Sequence, residues 1–518
     1  MLQHLLYVVA PSQVEATKRT LGRLDARQLE SHSNLSTKFE IRHKVLGPIV
    51  LNISLIDNID GITPHMRQNP VDLLIYDERG TDAIDAVTAL KAIRRDVSAL
   101  ASLWGPDFLF PMSRIVAIIE ENRRHNHRLF DLGHLNIRDI IVAPRNAGML
   151  MKWLKEVLSH GIVRENRVGM ALSGGGMEGF LYQIGVVHAL HAAVTNRSVA
   201  DIDMISGISS GAIVGGMMAG KIPTEEVILS LHRKSKTLPH FSANTLFDLA
   251  GTHIIRRMAR EIIHWKTLNP TRWLSNLLRS IPTGFFKGDA LEEYFRQAVS
   301  SFGARDSLDF LVAPRFYVGA TDQDSFEHIV FGEPPWDKVA ISAALRASCS
   351  LPPFFAPKVI NGRMFIDGQV TRSCNLDILV EKGCRLVFVV DPLKPASTPM
   401  AGAVDRQGGV FGVIQTVKAL ISTRFEASLR HVSEQYPDVD FIIFQPDEEC
   451  AKLMAGSPMR FRMRTQLIEA AYKGTLRKLR ERHHVYAVKM GRFGFVLRPA
   501  SELKELEESY TEVFRTVA

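Results

Sequence analysis

Short apolar runs alternate with stretches of helical spacing from the first residues of the chain. Leu5–Val9, Ile49–Ile56, Leu73–Tyr76, Ile115–Ile119 and Ile140–Val142 have strand length and little polar interruption. Ala83–Arg95 and Gly148–Leu158 space their apolar residues as a helix does. Strands apolar along their whole length, separated by helices, predict a mainly parallel sheet covered on both faces. The polar run Arg164–Arg167 breaks the pattern and puts a boundary near residue 163. A second block of the same kind opens at Val168–Leu172 and runs to about residue 482. The last stretch holds an apolar run, Phe493–Leu497, that reads as a strand, and an acidic helix near Glu502–Tyr510. The expectation is an α/β protein in three parts: a smaller domain over 1–162, a larger one over 163–482 and an extension over 483–518.

A chain of 518 residues, 46% hydrophobic and 23% charged, has ordinary globular composition and is too long for one typical domain. Its 63 basic and 55 acidic side chains give a mild excess of +8. That excess suits a solvated surface or attraction to an anionic membrane, and no nucleic-acid partner is expected. The four cysteines, Cys349, Cys374, Cys384 and Cys450, form no C-x-x-C pair, so neither a disulfide framework nor a zinc site is expected. The start of the chain has no basic stretch before its short apolar run, and no later stretch reaches the ~20 apolar residues of a membrane span. A cytoplasmic protein with peripheral membrane contact fits these features.

Residues 172–179 read Leu-Ser-Gly-Gly-Gly-Met-Glu-Gly, after an apolar strand and before a helical pattern. Gly174, Gly175, Gly176 and Gly179 let the backbone approach a ligand and aim N–H groups at one point, next to a positive helix end. The loop is built to hold an anion. It also satisfies the dinucleotide-binding pattern G-x-G-x-x-G, with Asp201 or Asp203 near the expected acidic offset, so a nucleotide site and a purely structural turn compete with an oxyanion loop.

A second turn follows. Ile202–Ser206 reads as a strand, Gly207-Ile-Ser209-Ser-Gly211 as G-x-S-x-G, and Ala212–Gly220 as a small-residue helix. The spacing has a steric reason: the serine stands on a sharp turn with nothing bulky two residues to either side. Ser209, not Ser210, has the glycines in register. A serine hydroxyl needs a base to become a nucleophile. A Ser–Asp–His order would call on His431, His483 or His484, none of which lies in a glycine-rich or turn context.

The stretch from Ala347 through Pro357 leads by way of Asn361 to Asp367-Gly368-Gln369. Here the chain resembles the patatin-like phospholipases, over roughly residues 165–482. That family carries a G-G-G-x-[R/K]-G loop, a G-x-S-x-G elbow and a later D-G-[G/A], which fall on Gly174–Gly179, Gly207–Gly211 and Asp367–Gln369. Gly319-Ala-Thr-Asp322 and a closing helix near Leu467–Arg480 add to the likeness. The resemblance implies an α/β/α hydrolase core and a Ser209–Asp367 dyad without a catalytic histidine. It also implies an oxyanion held by the glycine loop, acyl-lipid substrates such as phospholipids, and neither metal nor cofactor. Two positions depart from the pattern: Glu178 stands where the loop has Arg or Lys, and Gln369 where Gly or Ala is usual. They keep open a lipid-binding protein with a weakened site, beside an esterase of the Ser–Asp–His kind acting on small soluble esters.

The segment from His232 to Phe286 sets Arg beside Trp, Phe and Ile and reads as a lid or as a helical insertion packed on the sheet. Residues 1–160 loosely resemble a flavodoxin-like receiver domain, with Asp77 closing the run VDLLIYD where a phosphoacceptor would stand. The acidic pair that would hold Mg²⁺ is replaced by Ala10-Pro11, and Ala143 precedes Pro144 where a lysine is wanted, so a pseudo-receiver serving regulation or homo-oligomerisation is expected.

Overall fold

A computed structural model describes residues 2–22, 26–33, 36–43, 47–120, 125–142, 167–242, 284, 286–311, 313–352, 354–394, 409–454 and 463–517. The helix expected over 148–158, the boundary near 163 and most of the lid-like segment, residues 243–283, lie outside the described residues. The chain forms two compact units, one of Met1–Asn166, Ser428–Ile442 and Glu481–Leu497, the other of Arg167–Ala427, Ile443–Arg480 and Arg498–Ala518. Both are α/β.

The first unit is built on a seven-stranded sheet: β1 (Leu2–Val9), β2 (Ala26–Ser33), β3 (Ser36–His43), β4 (Gly47–Ile56), β5 (Leu73–Asp77), β6 (Ile115–Ile119) and β7 (Asp139–Val142), in the order β2-β3-β4-β1-β5-β6-β7. From β4 to β7 the neighbours are parallel, while β2 and β3 add antiparallel strands at one edge. The five apolar runs are thus the five parallel strands. Counted alone they follow the doubly wound order 2-1-3-4-5. The β2–β3 hairpin, rich in Arg, Glu, Ser and Lys, gave no apolar signal.

Alternate residues of the strands share one face. Leu6, Val8, Leu74, Tyr76, Ile115 and Ala117 therefore pack together against Leu90, Ile93 and Val97 of the helix Ala86–Trp104. That helix begins three residues later than its periodicity suggests, because Asp85 caps it by accepting the Thr88 N–H at 3.0 Å. The later segments join this unit through ions. Asp440 is buried beside Arg114, Arg492 and Lys489 at 3.5, 3.3 and 3.5 Å. Burial alone would raise its carboxyl, but the three cations hold it down at about 2. The expected strand Phe493–Leu497 does not form: Arg492–Gly494 make a turn, and of these residues only Leu497 makes a β-bridge. The N–H groups of Phe493 and Phe495 both bond back to Met490, and Gly494 takes φ +79°, which ends the helix His483–Gly491.

The second unit is built on β8 (Arg167–Leu172), β9 (Met204–Ile208), β10 (Arg315–Asp322), β11 (His328–Phe331), β12 (Lys358–Ile360), β13 (Arg363–Asp367), β14 (Cys384–Val390) and β15 (Asp440–Phe444, of which Ile443 and Phe444 belong to this unit), in the order β12-β13-β10-β9-β8-β14-β15, with β11 also on β10. Strands β14, β8, β9 and β10 are parallel; β13 and β11 run antiparallel to β10. Strand β9 begins two residues later than expected and runs to Ile208, so the turn at Ser209 follows it directly. The helices Gly176–Ala193 and Ser210–Ala219 rise from the ends of β8 and β9, and every residue of the second is buried. That accounts for their lack of a polar stripe. The four cysteines are buried and unpaired.

Candidate active site

The elbow is strained. Ser209 takes φ +55° and ψ −125°, a conformation that a non-glycine residue adopts only when its surroundings impose it. Part of that imposition is Ser348, whose Oγ accepts the Ser209 N–H at 2.8 Å and donates to the Gly319 carbonyl at 2.6 Å. Gly207 and Gly211 face each other across the turn. A Cβ on Gly207 would stand 2.5 Å from the Gly211 oxygen. The glycine spacing thus has the steric cause read from the sequence.

Strand β10 brings Asp367 to this turn. Gly319 pairs with Ile208 on β9, and the next residue, Ala320, pairs with Asp367 on β13. The last residue before the elbow and the carboxylate therefore oppose neighbouring positions of one strand. Gly368 closes the approach, since a Cβ there would meet Ile208 Cγ2 at 3.0 Å and the Gly319 oxygen at 2.5 Å. The backbone of Asp367 is tied at both ends: its N–H donates to Ser350 at 3.1 Å, and its carbonyl accepts from Thr321 Oγ1 at 3.1 Å.

The Asp367 carboxyl is fully buried. Burial raises it from 3.8 to about 7, against the opposing pull of the Gln369 N–H and the Ser209 hydroxyl. The Gln369 N–H reaches Oδ1 at 2.9 Å, and Oδ2 accepts no hydrogen bond of full geometry. Asp322, a few residues along β10, behaves in the opposite way. The Ser325 N–H, the Arg363 guanidinium and the Asp324 N–H hold its carboxyl low despite burial. Of these two buried aspartates, Asp322 is held as an anion by its partners, whereas burial raises the carboxyl of Asp367.

Ser173, Gly174 and Gly175 form the loop after β8; Gly176 opens the helix with φ +63°. Gly179 in its first turn sits against Pro392 and Ser210 Oγ. The loop is anchored by side chains that sequence reading did not single out. Ser173 Oγ donates to buried Asp391 at 2.7 Å, and Gln445 Nε2 donates to the other Asp391 oxygen at 2.9 Å. Gln183 Nε2 donates to the Ser173 carbonyl at 2.5 Å. Nothing in the local pattern of Asp391, Gln183 or Ser348 marks them, because their partners come from other strands.

Glu178 is buried, and its Oε2 lies 3.9 Å from Lys418 Nζ on the helix Gly409–Gln435. A cation thus stands beside the reversed charge. His431, His483 and His484 belong to the first compact unit, not to the unit that carries Ser209. The histidine near Asp367 is His328. It bonds Thr371 Oγ1 and Asn375 Oδ1, each at 2.9 Å, and burial lowers it to about 4. Through Thr371 and Thr321 it braces the Asp367 main chain rather than the carboxyl. Of the lid-like segment, the described Phe241 is buried against Phe180 and Tyr294. Among the described residues no cluster of three or more His, Cys, Asp or Glu could hold a metal ion, and no helix is long and apolar enough to cross a membrane.

The second unit is therefore an α/β/α domain with a glycine loop and a serine elbow at the ends of adjacent parallel strands. Residues 170–380 match the patatin-like phospholipase family model, so this segment carries a patatin-like phospholipase domain. Among curated proteins the chain is similar to Lysophospholipase NTE1 of Kluyveromyces lactis, 26% identical over 227 residues, which are 43% of this chain and 12% of that one. It is 27% identical over 232 residues to Lysophospholipase NTE1 of Candida glabrata, covering 44% of this chain and 11% of the relative. The match thus spans about an eighth of the length of these relatives. Among solved structures, VipD from Legionella pneumophila aligns with a TM-score of 0.32 and 13% identity over 61% of this chain and 67% of that one, too distant to argue from.

Proposed function

We propose that this protein is a lipid acyl hydrolase in which Ser209 attacks a fatty acyl ester and Asp367 serves as its base. The observation that carries the reading is the pairing of β9 and β13 on either side of β10, with the fully buried Asp367 carboxyl beside the strained Ser209 turn. Ser209 Oγ adds to the ester carbonyl while its proton passes to Asp367. The oxyanion forms against the N–H groups of the glycine loop. Collapse expels the alcohol, which takes the proton from Asp367 and leaves an acyl-serine. Water then attacks, again with Asp367 as base, and frees the fatty acid.

The relatives' name suggests a lysophospholipid as substrate. Work at a lipid surface fits the exposed Val370, Val417 and Leu420, with Arg424 bonded to the Val370 carbonyl one residue beyond the Asp-Gly-Gln turn. Purified protein mixed with lysophosphatidylcholine is expected to release free fatty acid, and a fluorophosphonate is expected to label Ser209. Absence of both would sink the reading.

In the first unit, Asp77 already has its partners. Arg79 donates to its two oxygens at 2.8 and 2.6 Å, and Tyr7 adds a third bond at 2.9 Å. This supports a pseudo-receiver with a built-in cation where Mg²⁺ would otherwise act. Incubation with acetyl phosphate and Mg²⁺ is expected to leave the intact mass unchanged; a phosphoryl adduct on Asp77 would refute it.

A further inference from the structure

The side chain of Gln369 has no role in the reaction as described, yet it occupies an unusual place. Its backbone N–H is spent on Asp367 Oδ1. The residue is 5% exposed, and its Nε2 is buried without an acceptor. An unmet buried amide donor is costly, so such a group calls for a partner. Its amide lies flat against the first residue of the glycine loop. A Cβ on Gly174 would stand 2.5 Å from Gln369 Oε1 and 2.6 Å from Nε2, so the loop has room for this side chain only because residue 174 has none. Both ends of the amide lie equally close, and turning it end for end keeps a donor on the loop.

We infer that the Gln369 side-chain amide is an oxyanion donor of the site, completing with its N–H the hydrogen bonding that the glycine loop begins, and that the acyl carbonyl oxygen of the substrate is its missing acceptor. The inference rests on the hydrolase reading above. It turns the departure from small residues at this position into a functional feature. The amide comes from the residue two places after the base and lies on the loop that faces the nucleophile turn. It therefore lies between proton acceptor and anion cradle. A neutral amide in a buried site bonds an ester carbonyl weakly and an alkoxide strongly, which lowers the barrier more than it tightens substrate binding.

The test uses the full chain with Gln369→Met, which keeps length and volume but has no donor, and Gln369→Ala as a second variant in case the first disturbs the loop. Removing one donor of this kind is expected to lower kcat about 100-fold, with KM changed less than about threefold. An acyl trifluoromethyl ketone, which forms a tetrahedral oxyanion on Ser209, is expected to bind more weakly by the same factor. A packing role alone would shift the unfolding midpoint without moving kcat and ketone affinity together. If wild type turns over ester while both variants keep kcat and ketone affinity within about threefold, the Gln369 assignment falls and the hydrolase reading stands. If wild type neither turns over ester nor binds the ketone, the hydrolase reading fails and takes this assignment with it.

Discussion

Asp367→Asn is expected to lower kcat by at least about 1,000-fold, and Ser209→Ala by still more, on the order of a nucleophile knock-out. Asparagine keeps the shape and the Gln369 contact but cannot take a proton. The wild-type pH profile should show the same group. The base works only when ionised, and its carboxyl titrates near 7. Below that value kcat/KM should fall tenfold for each pH unit, and above it the profile should flatten. Stability should move the opposite way. The folded state holds the Asp367 proton up to about 7, whereas an unfolded aspartate releases it near 3.8. Folding is then favoured at the acid end, and this contribution is lost as pH rises between those values. The shift corresponds to on the order of 4 kcal/mol, an upper bound that Asp367→Asn would recover at pH 8. Urea unfolding at pH 5 and pH 8 measures it. A rate profile flat from pH 5 to 9, or an Asn variant no more stable at pH 8, would remove Asp367 as the base.

Gly211→Ala is expected to destabilise the second unit by about 3 kcal/mol or more. A Cβ at this position would lie 2.5 Å from both the Leu172 carbonyl carbon and the Ser173 oxygen, with the Leu172 oxygen closer still. All three are backbone atoms at the end of β8, so no rotamer change can make room. Either the helix Ser210–Ala219 lifts or the glycine loop moves, and either change separates the glycine loop from Ser209. The matched control is Gly220→Ala at the far end of the same helix. There the nearest atom would be 3.2 Å away and φ is −75°, so the cost should stay below about 1 kcal/mol. Urea midpoints of the two variants decide the point, and equal midpoints would contradict the steric account.

Apolar runs announced the parallel strands of the first sheet and β8 and β9 of the second, because strands covered on two faces must be apolar throughout. The β2–β3 hairpin stayed hidden because edge strands meet no such demand, and Phe493–Leu497 misled because a turn can bury apolar side chains as well as a strand can. The glycine loop and elbow were legible because most of their causes are local: apart from Gly174, which answers to Gln369, these glycines meet atoms a few residues away or at an adjoining strand end. The meeting of Ser209 with Asp367 is a different matter. It arises from two neighbouring residues of β10, and neither flanking sequence carries a trace of it. Hydrogen-bond and ion partners likewise separate Asp322 from Asp367, two buried aspartates in similar strand-end contexts. The same holds for Glu178 and Gln369, which read along the chain as departures from a pattern. In the folded unit one meets Lys418 and the other lies on Gly174. Patterns along the chain report forces that act between near neighbours. Ionisation and hydrogen bonding at the site depend on what distant strands bring within a few ångströms, and that is decided only when the sheet closes.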